Sequence, residues 1–94
     1  MTTPDTLQRP GPRYLVRQAD VPAYQPANHH HTFNQRLIGP ETVGARQMEM
    51  LIGTLHKGGG ALPHAHPGIE QSCYLLEGTA HVTVGDESFD MLPG

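Results

Sequence analysis

Gly58-Gly59-Gly60-Ala61-Leu62-Pro63-His64-Ala65-His66-Pro67-Gly68-Ile69-Glu70-Gln71, followed by Cys73-Tyr74-Leu75-Leu76-Glu77-Gly78, is the stretch that decides how this chain reads. Pro63 and Pro67 bracket His64-Ala65-His66 and disfavour helix, so a short extended segment is expected. In an extended chain, residues two apart face the same way. Both imidazoles should therefore lie on one side, close together. Two converging neutral imidazoles are a common start of a transition-metal site. His-x-His also arises by chance in a histidine-rich chain, and here 7 His stand against 6 Lys plus Arg.

Downstream the pattern is regular. Glu70 to Leu76 reads as a strand and Glu77-Gly78 as a turn. Thr79 to Val84 and Glu87 to Met91 read as strands joined by Gly85-Asp86. Alternation turns Ala80, Val82 and Val84 to a core and Thr79, His81 and Thr83 outward. Upstream, Lys57-Gly58-Gly59-Gly60 reads as a tight turn. Arg46 to His56 reads as a long strand in which Met48, Met50 and Ile52 pack the core. Phe33 to Ile38 is a strand entered through His29-His30-His31, with His29 and His31 on one side and His30 on the other. Arg13 to Arg17 is a further short strand, and residues 1–12, with Pro4, Pro10, Gly11 and Pro12, read as a flexible arm.

Gly (11) and Pro (9) make up about a fifth of the 94 residues, which suits short strands and turns rather than long helices. A net charge of −3 with no basic stripe argues against a nucleic-acid partner. No apolar run approaches the ~20 residues that cross a bilayer, and the first residues lack the apolar middle of a signal peptide. A single cysteine, Cys73, excludes an internal disulfide and suits a cytoplasmic setting. So short a chain has little core, and a homodimer is expected.

The spacing of Gly58, His64, His66, Gln71 and Gly78 resembles the first motif of the cupin superfamily, G-x5-H-x-H-x3,4-E-x6-G. The resemblance implies an all-β fold: a small antiparallel cupin-type β-barrel, jelly-roll-like, over residues 13–94. It also implies a metal held inside the barrel. Met91-Leu92-Pro93-Gly94 looks like the lead-in to the family's second motif, so the barrel is expected to be incomplete here, with a further histidine ligand beyond Gly94. The sequence departs from the family at the acidic ligand. Counted back from Gly78, that position is Gln71; counted forward from His66, Glu70 also qualifies. Neighbours in a strand face opposite ways, so only one can reach the metal. The implied ligands are His64, His66 and Gln71, with Glu70 as the alternative. A Gln would supply a neutral carbonyl oxygen, leaving the site one charge more positive and without an ionised base at that position.

Imidazole plus a neutral oxygen suits Fe, Mn, Zn, Ni or Cu. Two functions stay open. One is a metal-dependent enzyme of dioxygenase, decarboxylase or isomerase type, acting on a small organic acid, enol or phenol. The other is a non-catalytic module that binds or senses a small ligand. Among the remaining residues, one of His29, His30 and His31 could line a barrel mouth. His56 and His81 read as surface histidines, and Cys73 as a buried, inert thiol on the Gln71 face.

Overall fold

The computed structural model describes residues 7–94; the first six residues of the expected N-terminal arm lie outside the described residues. The chain divides into two compact units, residues 1–63 and 64–94. Apart from one 3-10 turn at Gln18–Asp20, the regular structure is antiparallel β, in two two-stranded sheets. The all-β expectation therefore holds.

In the first unit, β1 (His29–Ile38) pairs with β2 (Met50–Ala61). The opposite edge of β1 is partly covered by a single bridge, in which Tyr24 and Asn34 exchange backbone hydrogen bonds of 2.9 and 2.7 Å. Gln35 fastens the 3-10 segment to β1. Its Nε2 donates to Gln18 O and Val21 O, and its Oε1 accepts from the Gln18 side chain. Val21 is the buried apolar residue of this unit, beside two buried threonines, Thr32 and Thr42. The Thr42 hydroxyl accepts from Gly39 N–H and donates to Gly39 O, closing the turn after β1. Arg36 makes an ion pair and hydrogen bond with Glu41 at 3.1 Å; its Nε also lies 3.1 Å from Glu49, without a hydrogen bond. Partial burial works against the charged guanidinium. Glu41, with help from Tyr24 and Glu49, outweighs that and raises its pKa.

The glycine run after Lys57 is not a turn. Gly58-Gly59-Gly60 stays inside β2, and the ladder jumps from His30↔Gly60 to Thr32↔Leu55. The extra residues form a bulge, which needs φ +81 at Gly58. Gly59 passes so close to β1 that a Cβ there would strike the His31 carbonyl oxygen and lie 2.9 Å from His56 O. His31 itself takes φ 51, an unusual left-handed value for a non-glycine residue. That breaks the expected alternation: His29 is half-buried, while His30 and His31 are both exposed. Their rings meet edge-on, 6.0 Å apart.

Three further expectations are corrected. Arg13 to Arg17 is not a strand: a turn closes at Leu15 N–H to Pro12 O, and no neighbour offers a ladder. Strand β2 begins at Met50 rather than Arg46, and Met48 and Met50 are 64% and 52% exposed, so they do not pack a core. Glu70 to Leu76 is irregular. A strand exists only where a neighbour accepts its backbone bonds; here a bond from Gly94 N–H to Leu75 O ties the stretch down without forming a ladder.

In the second unit, β3 (Ala80–Val84) and β4 (Glu87–Met91) form the expected hairpin. Gly85 has φ 62 and Asp86 does not share it, as a two-residue II′ turn requires. Ala80 and Val82 are half-buried and His81 and Thr83 exposed, but Val84, beside the turn, is 64% exposed. On the outer face His81 Nδ1 lies 2.9 Å from Asp90, and Thr83 bonds Ser88 at 2.8 Å.

The Gly59 contact predicts a stability difference between neighbouring glycines. Gly59→Ala should cost about 2–3 kcal/mol by forcing the strands apart. Gly58→Ala meets no atoms and should cost about 1–2 kcal/mol, for its left-handed backbone alone. Urea unfolding of the two variants measures both; equal losses would contradict the close approach at Gly59.

Candidate metal centre at His64 and His66

The first unit hands the chain over at Leu62, whose N–H donates to Asn28 O at 2.9 Å. After the histidines the chain turns through His66-Pro67-Gly68-Ile69, closed by Ile69 N–H to His66 O at 3.3 Å. Pro at the second position and Gly with φ 82 at the third are the chemistry of a type II turn. The turn anchors His66, and Pro63 restrains the approach to His64.

The two rings lie with centroids 5.1 Å apart and planes crossed at 88°. Two imidazoles sharing one ion at metal–nitrogen distances of about 2.0–2.1 Å have centroids roughly 5 Å apart, so the spacing fits a common metal. The same spacing suits an edge-to-face ring pair, which stabilises the arrangement without metal. Both histidines are exposed, so an ion could reach them from solvent.

The structure thus brings His64 and His66 together. Glu70 and Gln71 follow the turn, and both are exposed. Because their stretch is not a strand, alternation does not choose between them. Among the described residues, no group of three or more His, Cys, Asp or Glu side chains is placed to hold a metal ion. A metal bound here would take its nitrogen donors from the imidazole pair, with the neutral Gln71 amide offering an oxygen.

Cys73 is exposed, not buried. The expectation relied on strand alternation from Gln71, which fails with the strand. His56 is on the surface as expected, its ring tilted 5.7 Å from that of Phe33. His81 is also exposed and is engaged by Asp90.

A family model described as Cupin domain matches residues 51–94. This segment belongs to the cupin superfamily. The match takes in both histidines, the Pro67-Gly68 turn and the β3–β4 hairpin, and the antiparallel all-β architecture agrees with it. No curated relative and no solved structure matches the chain. Among the described residues, no helix is long and apolar enough to cross a membrane.

The exposure of Cys73 has a direct check. A thiol-specific chromogenic reagent should titrate one thiol per native chain, at a rate within about threefold of that in denaturant. A native rate a hundredfold lower would mean that Cys73 is covered.

Proposed function

We propose that the chain is a metal-binding cupin-domain protein in which His64, His66 and Gln71 hold a divalent transition metal. Glu70 is the alternative to Gln71. The observation that carries this reading is the imidazole pair, 5.1 Å apart beside a Pro-Gly turn, within the segment that matches the cupin family. A bound divalent metal would supply Lewis-acid or electron-transfer chemistry at its open positions.

The chain's own residues define the rest. Neutral His64 and His66 donate ring nitrogens and leave the ion's charge undiminished. Gln71 offers an amide oxygen and takes up no proton. A small organic acid, enol or phenol suits such a site, because its anionic oxygen balances the charge that a glutamate would otherwise balance. Turnover of dioxygenase, decarboxylase or isomerase type is one use. The second reading, a module that binds or senses a small ligand without turnover, draws support from the neutral Gln71 and from the absence of a third ionisable donor among the described residues. Both readings place the chain in the cytoplasm, where one exposed thiol stays reduced. Both also include a homodimer, supported by exposed Tyr74, Leu76 and Leu92.

Metal content of the untagged protein, by mass spectrometry after gel filtration, tests the site. The parent should carry close to one metal per chain. His64→Ala and His66→Ala should each lower it at least tenfold. Gln71→Glu should tighten binding about tenfold by restoring the carboxylate, and Glu70→Gln should change little. Metal retained in both histidine variants, with their circular dichroism unchanged, would overturn the assignment.

A further inference from the structure

The first unit contains a cleft of about 410 Å³, within the size range of small-molecule sites. Leu7, Pro12, Pro40 and Val43 line it with apolar surface, and Arg9 and Arg13 supply the charge. A third guanidinium stands nearby: a Cβ on Gly11, another wall residue, would come within 3.4 Å of Arg17 Nη1. Across the cleft, a Cβ on Gly44 would lie 3.9 Å from Arg13 Nη2.

The three arginines have different duties. Arg9 is built into the wall. Its Nη1 donates to Leu15 O at 2.8 Å, and its Nη2 donates to Arg13 O and Thr42 O at 2.9 and 2.7 Å. Its Nε is buried with no partner. Arg13 is exposed, its guanidinium lies 5.1 Å from the Tyr14 ring centre, and its N–H groups make no hydrogen bond among the described residues. Carbonyl oxygens satisfy hydrogen bonds but do not neutralise charge. The ion pairs among the described residues join Arg36 to Glu41 and Glu49, and His81 to Asp90; none involves Arg9, Arg13 or Arg17. A chain with net charge −3 therefore gathers, at one cleft, three arginines that make no ion pair among the described residues.

We propose that this cleft binds a small organic carboxylate, with Arg13 paired to the carboxylate and Leu7, Pro12, Pro40 and Val43 covering its apolar body. An arginine fork matches a planar carboxylate in two parallel hydrogen bonds. The neighbouring Arg9 and Arg17 charges strengthen attraction for any anion, and relief of their mutual repulsion adds to it. The apolar part of the lining, from Leu7, Pro12, Pro40 and Val43, gives an organic acid an advantage over a bare oxyanion. The site is independent of metal at His64 and His66.

Calorimetric titration of the full chain with benzoate tests it, with benzamide and inorganic phosphate as comparisons. Benzoate should bind one per chain with a dissociation constant on the order of 1 mM. Benzamide, lacking the charge, and phosphate, lacking the apolar body, should each bind at least tenfold more weakly. Arg13→Gln should weaken benzoate about tenfold. Arg17→Gln, acting through charge alone, should weaken it about threefold, and less at high salt. Paired His64→Ala and His66→Ala should leave it unchanged, which separates this site from the metal centre. Circular dichroism of Arg13→Gln should match the parent, since that side chain holds no hydrogen bond among the described residues. Absence of saturable benzoate binding, equal binding of benzamide or phosphate, or an unaffected Arg13→Gln would each overturn the proposal.

Discussion

Val21 is the one buried apolar side chain among the described residues, and it still keeps 6% of its surface exposed, so backbone pairing has to supply the order that a larger core would give. Each such bond contributes only about 0.5–1.5 kcal/mol net, so the pairing must be nearly continuous. In the first unit it runs from His29↔Ala61 to Ile38↔Met50 and is extended by the Tyr24–Asn34 bridge. The ladder survives its bulge because Gly58 accepts a left-handed backbone and Gly59 tolerates close approach to His31. In the second unit the β3–β4 hairpin plays the same part on a smaller scale.

The imidazole pair depends on the same kind of constraint. Pro63 restricts the chain ahead of His64, and the Pro67-Gly68 turn holds it behind His66. Ring spacing is thus set by local backbone chemistry. Many exposed apolar residues, Tyr74, Leu76 and Leu92 among them, leave surface that a second copy could cover. The proposed metal binding at His64 and His66 and the proposed anion recognition at Arg13 then draw on different parts of the sequence, the first on paired imidazoles and the second on arginines without an ion pair among the described residues.

Where local chemistry decides structure, the sequence is legible. Gly85-Asp86 between alternating stretches specifies a hairpin, and His-x-His between prolines specifies neighbouring rings; both are present. Legibility ends where an element needs a partner. Residues 70–76 have strand composition but no ladder, and with the strand goes the rule that would select Gln71 over Glu70 and bury Cys73. Three glycines read as a turn, and only the approach of β1 to Gly59 shows that they form a bulge inside the strand. The left-handed His31 carries no mark in sequence, and neither does the cleft, whose Arg9 comes from the expected N-terminal arm and whose Arg13 and neighbouring Arg17 come from an expected strand that does not form.

The central claim is that His64 and His66 act as one metal-binding pair, and it can be read ring by ring. Long-range nitrogen–proton correlation spectra resolve the imidazole nitrogens of all 7 histidines in the labelled protein. On addition of one equivalent of zinc, the account predicts that one ring nitrogen of His64 and one of His66 shift together. The nitrogens of His29, His30, His31, His56 and His81 should stay in place. Zinc that shifts His30 and His31 instead, or that leaves both His64 and His66 unmoved, would contradict it.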